Sequence, residues 1–280
     1  SFPEEMSTNN DLLPTFQWTE SEVAESYTFQ LATDNTFNNI IFSRASVTEN
    51  TISVPEFLDE GTTYFWRVAA TNICGQGDFA SGQFSTVQYQ RTNVIESGLN
   101  IPISNQGTPT ISSVITITED IQIEDINVLD LDISHSYVED LTVTLRSPFG
   151  TEVRLFAEIC GSLDDVLLSF DDDTFETTSN CDLASDRTVM PLEALSAFNG
   201  ENARGDWTLT ISDGADQDGG SLNGWGLQIG TLNRDVLLSL GEVTFEEVNL
   251  SWEAAATLSG VTGFEIDVRE GDGAFQNIRE

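Results

Sequence analysis

The sequence contains no lysine and only one histidine, His135. All 10 basic residues are therefore arginine, and they face 47 acidic residues, which gives a formal net charge of -37. A polyanion of this strength repels nucleic acids and anionic membrane surfaces at long range. The charge instead favours cations, neutral sugars or basic protein surfaces as partners.

The shortage of histidine also limits catalysis. A zinc-protease helix needs two histidines four residues apart, and a single histidine cannot supply that pair. A Ser/His/Asp triad would have to use His135, and the nearest approach to a nucleophile elbow, at Ser221, has Asn223 where the final glycine belongs. We interpret His135 as a packed or hydrogen-bonded residue at a strand end. The sequence does not exclude a pair of carboxylates for glycoside hydrolysis, because acidic residues are so abundant that their presence neither supports nor rejects such a site.

Long apolar runs are missing as well. No stretch of 18 apolar residues occurs, so the sequence predicts no membrane-spanning helix. The segment 1–6 has neither the basic nor the apolar region of a signal peptide, so we expect that a signal was removed or that the chain is an internal fragment. The acidic residues are spread among apolar patterns, which indicates folded domains in a salty or calcium-containing medium.

Period-two alternation is the main structural signal. Leu141, Val143 and Leu145 alternate with threonines, and Trp207, Leu209 and Ile211 do the same. This alternation is typical of half-buried strands, and turn-forming residues separate the runs. The pattern slips by one residue between Ile123 and Ile126, which suggests a bulge or tight turn there. The sequence therefore predicts an all-β protein built of tandem β-sandwiches.

The densest part of the chain carries a family resemblance. It reads Ser147-Pro-Phe-Gly-Thr151, Phe170-Asp-Asp-Asp173, Gly205-Asp-Trp-Thr-Leu-Thr-Ile-Ser-Asp213 and Asp218-Gly-Gly-Ser-Leu-Asn-Gly-Trp-Gly-Leu-Gln-Ile229. In order and spacing these segments resemble the P domain, or Homo B domain, that follows the catalytic domain of subtilisin-like proprotein convertases and recurs in secreted bacterial proteases. The resemblance implies a jelly-roll-like domain over residues 93–231.

The flanking segments resemble fibronectin type III domains. Residues 1–88 contain Phe16-Gln-Trp18 and the run Leu58-Asp-Glu-Gly-Thr-Thr-Tyr64, in which we expect the Tyr64 hydroxyl to bond the backbone near Leu58. Residues 232–280 contain Val248-Asn-Leu-Ser-Trp252 and resemble the first half of a second such domain. We expect the chain to continue past Glu280, or a neighbouring chain to complete this sheet. Apolar periodicity fades over 87–100, where we place a linker.

The cysteines give a weak redox signal. Cys160 and Cys181 flank the acidic segment 170–173, and pairing them would close a 22-residue loop. Where the geometry permits the bond, it would stabilise the fold by about 3 kcal/mol. Cys74 is then left over. We interpret it as a half-buried small hydrophobic residue, with an intermolecular bridge as the alternative.

Clustered aspartates indicate calcium. Ca²⁺ takes six to eight oxygen ligands, and glycine-bearing turns let backbone carbonyls face an ion. The P-domain resemblance likewise implies calcium bound through aspartates of two segments, near 171–173 and 213–218. The alternative is a solvated acidic surface, because any turn of so acidic a chain holds aspartates. The candidate ligands are Asp140, Asp171, Asp172, Asp173, Asp213, Asp216 and Asp218.

Five tryptophans raise the question of a sugar-binding platform. They fall in phase with the apolar positions of the strand patterns, so we predict that they pack in the cores. The tryptophans are Trp18, Trp66, Trp207, Trp225 and Trp252. A carbohydrate-binding module would need an exposed aromatic pair on one sheet face.

These observations predict a non-catalytic accessory region of a secreted or cell-surface, bacterial-type protein. The resemblance implies that its parent is a serine- or metallo-endopeptidase, whose catalytic domain would be the partner. The alternative is a structural or adhesive protein that assembles with neighbouring copies of itself by completing the partial sandwich.

Overall fold

The computed structural model describes residues 2–232 in full and, after them, the backbone of four short strands. The described part is built of strands and three short 3-10 helices, so the all-β prediction is confirmed. The chain divides into two compact units, Ser1–Leu232 and Asn233–Glu280. The larger unit contains two separate hydrophobic cores, one in each of two sandwiches.

The first sandwich comprises the strands up to Thr86. One sheet has the order β1-β8-β6-β3-β4 with β7 paired to β6, and β2 pairs with β5 in the second sheet. The strands are β1 (Ser7–Asn10), β2 (Thr15–Gln17), β3 (Ser26–Ala32), β4 (Ile40–Val47), β5 (Thr51–Ser53), β6 (Thr63–Asn72), β7 (Gly75–Gln76) and β8 (Ala80–Thr86).

Aromatic residues dominate the first core. Phe29 packs 4.8 Å from Phe16 and stacks on Trp18, ring centroid to ring centroid. Tyr64 is buried, and its hydroxyl accepts a hydrogen bond of 3.0 Å from the backbone N–H of Asp59. The predicted return of the Tyr64 hydroxyl to the backbone beside Leu58 is therefore confirmed.

The second sandwich comprises the strands from Tyr89 to Leu232. Its sheets have the orders β10-β16-β12-β13 and β15-β14-β11-β17-β9. The strands are β9 (Tyr89–Ile103), β10 (Thr110–Ile117), β11 (Asp125–His135), β12 (Leu141–Arg146), β13 (Glu152–Ala157), β14 (Val166–Phe170), β15 (Arg187–Val189), β16 (Gly205–Asp213) and β17 (Gly220–Leu232). The 3-10 helices are Val138–Asp140, Thr178–Asn180 and Leu195–Phe198.

The two alternating runs predicted as strands lie side by side. β12 pairs with β16, and Leu145 faces Leu209 across the ladder. Trp207 and Trp225 are fully buried, and Trp18 and Trp66 are at most 5% exposed, which confirms the predicted core positions of these four tryptophans. The side chain of Trp252 lies outside the described residues.

The linker expected at 87–100 is wrong. From Tyr89 onward this segment belongs to β9, a 15-residue strand that runs antiparallel to β17 along the edge of its sheet. Most of its side chains are exposed or half-buried, so the apolar alternation is weak although the backbone is hydrogen-bonded. Edge strands need fewer apolar residues because one side has no neighbouring strand, and this explains why the pattern faded.

Three other expectations concern turns and cysteines. The backbone bends at Glu124 immediately before β11, where the alternation slips. The sulfur atoms of Cys160 and Cys181 are bonded, and the Cα atoms of the pair are 5.3 Å apart. Cys74 is exposed at the turn between β6 and β7, so its interpretation as half-buried is wrong. A two-residue hairpin turn projects its side chains away from the core, which accounts for this exposure.

The second unit is described only by backbone. β18 (Val236–Val243) pairs with β19 (Val248–Ala254), and β20 (Ile266–Val268) pairs with β21 (Gln276–Ile278). The strand predicted to contain Trp252 is therefore present as β19. In the described part of the chain, no helix has the length and apolar character that a bilayer crossing needs.

Candidate metal centre

Three aspartates meet at the end of the second sandwich that faces the first. We call Asp125, Asp171 and Asp173 the junction cluster, because one carboxylate oxygen from each lies within 4.8 Å of the others. Asp125 opens β11, and Asp171 directly follows β14. Since β11 and β14 are antiparallel, the start of one strand lies beside the end of the other. The topology therefore brings together residues 46 positions apart in the chain.

One arginine balances part of this charge. The Arg91 guanidinium bonds Asp125 of the cluster and Glu60 of the first sandwich. Arg91 and Asp125 both lie opposite Gly230 of the strand between them. A side chain at Gly230 would approach Asp125 to 2.9 Å, so the glycine leaves room for the ion pair. The first and second sandwiches also touch through Phe57 and Phe175, whose ring centroids are 4.6 Å apart.

Burial makes the junction cluster costly to ionise. Burial raises the pKa of Asp125, although Arg91 opposes this shift. Burial likewise raises the pKa of Asp171. The pKa of Asp173 is raised from 3.8 to about 6 by burial first and then by the neighbouring charges of Asp171 and Asp125. Several carboxylates and one guanidinium leave negative charge that a cation can neutralise.

The donor set fits a hard cation. Three carboxylates supply only oxygen ligands, which Ca²⁺ prefers at about 2.3–2.6 Å, so ligands on opposite sides of the ion are about 5 Å apart. The spacing within 4.8 Å in the junction cluster agrees with this requirement. Backbone carbonyls and water would have to complete the six to eight ligands.

Three of the remaining predicted ligands lie near His135, in a group that we call the histidine cluster: His135, Asp140, Asp213 and Asp218. His135 and Asp213 have fully buried side chains, and His135 Nε2 lies 3.3 Å from Asp213 Oδ2. Asp218 accepts a hydrogen bond of 3.1 Å from the Ser136 hydroxyl. Burial raises the pKa of Asp140, and the charges of Asp213 and Asp218 raise it further.

Two further candidates are engaged with backbone donors. Asp172 accepts hydrogen bonds of 2.9 and 2.8 Å from the backbone N–H groups of Leu195 and Ser196, at the start of a 3-10 helix. Asp216 accepts a hydrogen bond of 2.7 Å from the backbone N–H of Gly107. Of the seven predicted ligands, Asp171 and Asp173 are the two that the structure brings into the junction cluster.

Sequence reasoning missed Asp125 and Arg91. Asp125 fell in the slipped stretch before β11, and Arg91 fell in the supposed linker. Neither position has a local motif, because their proximity depends on the pairing of three strands. The burial of His135 and Asp213, in contrast, could have been predicted from the alternation of their strands. His135 continues the buried row of Leu131 and Ile133, and Asp213 continues that of Leu209 and Ile211.

A family model supports the resemblance found in the sequence. Residues 123–229 match the proprotein convertase P-domain, which confirms this part of the recognition. The match covers less than half of the chain and lies within the second sandwich. The junction residues Asp125, Asp171 and Asp173 are all inside the matched segment.

Solved structures give weaker similarities. A serine protease of Aeromonas sobria is 14% identical over 76% of this chain and 38% of that chain, with a TM-score of 0.33. The same protease in complex with the chaperone ORF2 is 16% identical over 60% of this chain and 36% of that chain, with a TM-score of 0.31. An α-L-rhamnosidase of Dictyoglumus thermophilum is 12% identical over 90% of this chain and 27% of that chain, with a TM-score of 0.26.

TM-scores at this level establish neither a shared fold nor a shared function. The chain spans little more than a third of the length of the Aeromonas protease. No curated protein matches the chain. The finding that stands is therefore the match of residues 123–229 to the proprotein convertase P-domain.

Proposed function

We propose that the chain is a non-catalytic accessory region of a secreted or cell-surface protease, stabilised by calcium at the junction cluster. The observation that carries the proposal is the P-domain match over 123–229, because P-domains belong to proteases. The first sandwich and the segment 232–280 would act as fibronectin type III modules beside it. The catalytic domain of the parent protease would be the partner, and the Cys160–Cys181 disulfide suits an extracellular setting.

The position of the junction cluster gives calcium a specific task. Asp125 and Asp171 belong to the second sandwich, whereas Glu60 reaches them from the first through Arg91. Neutralising the carboxylates removes repulsion at the surface where the two sandwiches meet. Calcium would therefore stabilise the P-domain and hold the first sandwich against it.

The geometry of His135 supports a role without catalysis. Its side chain is fully buried, and its ring nitrogens contact Asp213 and the backbone of Tyr137. A general base must reach the proton that it removes, and a buried ring already held at both nitrogens cannot reach a substrate. His135 is the one histidine of the chain, so a catalytic histidine of the parent protease would come from another domain.

Calcium linkage tests the metal part of the proposal. A ligand that binds the folded state at 100 times its Kd stabilises that state by about 2.7 kcal/mol. We expect calcium to raise the melting temperature of the chelator-treated protein, and Asp173→Asn to abolish most of that rise. Asp164→Asn is the matched control, since it removes one charge from an exposed site outside both clusters. An equal response of the two variants would remove the junction cluster as the site.

The accessory role has a separate test. Peptide mapping of the natural protein past both ends of the sequence should find a protease domain with its own catalytic histidine. Further sandwiches on both sides, without a protease domain, would instead support the structural or adhesive alternative.

A further inference from the structure

A cleft of about 370 Å³ opens at the edge of the first sandwich, away from the junction cluster. Trp18, Tyr27 and Trp66 form its inner wall, and Glu5 and Asp78 lie at its rim. The volume falls within the range of about 300–1,000 Å³ typical of small-molecule sites. The cleft therefore combines an aromatic wall with two exposed carboxylates.

Two polar groups in this wall lack partners. The indole Nε1 atoms of Trp18 and Trp66 are buried and have no hydrogen-bond acceptor in the described residues. Leaving such a donor unpaired costs about 1–3 kcal/mol, so most buried donors find a partner. The indoles of the second sandwich follow that rule: Trp207 donates to the carbonyl of Ala203, and Trp225 donates to the Ser113 hydroxyl.

A donor and an acceptor converge at Gly82. This glycine faces Trp66 on the neighbouring strand, and a Cβ placed on it would lie 2.9 Å from Trp66 Nε1 and 3.0 Å from Glu5 Oε2. The two atoms are therefore within about 6 Å of each other, a gap that one oxygen can bridge with two hydrogen bonds of about 2.7–3.2 Å. Glu5 is anchored there by the backbone N–H of Gln83, which donates to the same carboxylate oxygen.

The groups in the cleft restrict the ligand. The only charged residues that line it, Glu5 and Asp78, are acidic and repel anions. An ammonium ion would suit the carboxylates but cannot accept from the indole N–H groups. A peptide group has its donor and its acceptor on different atoms. A hydroxyl accepts from an indole N–H and donates to a carboxylate through one oxygen, and the C–H face of a sugar ring can pack on the aromatic wall.

We propose that this cleft binds a neutral saccharide, with a sugar hydroxyl bridging the Trp66 indole N–H and the Glu5 carboxylate. The Trp18 indole N–H would donate to a second oxygen of the same unit. The site differs from a flat exposed platform because both tryptophans are buried in its wall. The proposal does not depend on calcium or on a protease partner.

Indole signals test the proposal directly. The ¹⁵N-labelled protein would be titrated with cellohexaose, xylohexaose, maltohexaose and chitohexaose, each added separately, while its indole N–H resonances are followed by NMR. We expect saturable shifts of the Trp18 and Trp66 signals with at least one of these sugars. The Trp207 and Trp225 signals should stay fixed, because their N–H groups already have acceptors.

A matched pair of variants separates binding from folding. Glu5→Gln retains the size of the side chain but weakens its hydrogen bond to the hydroxyl, so we expect about a tenfold loss of affinity. Glu4→Gln, which changes an adjacent exposed residue that does not line the cleft, should bind as the unchanged protein does.

Three results would overturn the assignment. One is the absence of saturable shifts with all four sugars, and another is an equal response of the Glu4 and Glu5 variants. The third is a shift of the Trp18 and Trp66 signals by tetralysine but by none of the sugars, which would identify a basic peptide site.

Discussion

The junction cluster and the histidine cluster both concentrate aspartates in the same sandwich, yet their surroundings differ. In the histidine cluster, the buried Asp213 lies against the ring of His135, and Asp218 is bonded by the Ser136 hydroxyl. In the junction cluster, Arg91 pairs with Asp125 and is shared with Glu60. The buried Asp213 is thus paired with a buried side chain of the protein, whereas three carboxylates of the junction cluster lie within 4.8 Å of one another beside one arginine.

This difference separates two uses of acidic residues. Carboxylates that already have protein donors contribute to the fold, and a cation adds less stability there. Carboxylates that burial and mutual repulsion make costly to ionise gain most from a cation. The number of aspartates in a segment is therefore a poor guide to an ion site, and the balance of donors around them is a better one.

Replacing Asp213 should have the largest effect on stability. Asp213→Ala leaves His135 buried without its partner and removes a carboxylate that also accepts from the backbone of Ala215. Each donor left without an acceptor costs about 1–3 kcal/mol, and urea unfolding would measure the sum of the two losses. The increase in melting temperature with calcium should persist in this variant.

Asp206→Ala is the control for that substitution. Asp206 lies on the same strand but on its exposed face, where it accepts a hydrogen bond from the Thr116 hydroxyl. We expect a loss of about 1 kcal/mol or less. If Asp213→Ala abolishes the calcium response while the protein stays folded, the ion site lies in the histidine cluster and the comparison is reversed.

Removing Arg91 should have an intermediate effect. Arg91→Gln leaves Asp125 and Glu60 without their shared counter-ion, so we expect the metal-free protein to lose about 1–3 kcal/mol of stability. Calcium should restore more stability to this variant than to the unchanged protein, because the junction cluster without Arg91 carries more uncompensated negative charge. The measurement is the melting temperature with calcium and with chelator.

Arg204→Gln is the matched control, because Arg204 forms an exposed ion pair with Asp120. Its loss should change stability by at most about 1 kcal/mol and leave the calcium response unaltered. A smaller calcium response in Arg91→Gln than in the unchanged protein would mean that Arg91 organises the site rather than substituting for a cation.

The sequence was sufficient for the features that depend on local alternation. It predicted the strands around Leu141–Arg146 and Gly205–Asp213, the burial of four tryptophans and the hydroxyl contact of Tyr64, because these follow from period-two patterns and short turns. It failed for β9, because an edge strand with exposed side chains has a weak apolar pattern.

Only half of the candidate site could be predicted from the sequence, because the other half depends on how the strands pair. Asp171 and Asp173 stand in an acidic run that is visible in the sequence. Asp125 and Arg91 join them through the order of strands β14-β11-β17-β9, and no spacing rule encodes that order. Likewise, the unpaired indole donors of Trp18 and Trp66 follow from three-dimensional packing and have no counterpart in the sequence pattern.

The smallest expected effect is the pH dependence that Asp173 of the junction cluster contributes to stability. The pKa of Asp173 is about 6 in the folded protein against 3.8 as its ordinary value, so the folded state retains a proton that the unfolded state has lost between these two pH values. The contribution of Asp173 to the stability of the calcium-free protein therefore falls as pH rises from about 4 to about 6. Because Asp173 is partly exposed, its share is on the order of 1 kcal/mol.

Asp173→Asn isolates this contribution. Between pH 4 and pH 6, the unfolding free energy of the unchanged protein should fall relative to that of the variant. Above pH 6 the difference should become constant. Saturating calcium should reverse the trend, because the ion binds the carboxylate and not the protonated acid. A difference that stays constant from pH 4 to pH 7 without calcium would show that Asp173 ionises freely, and the junction cluster would then resemble any other acidic surface.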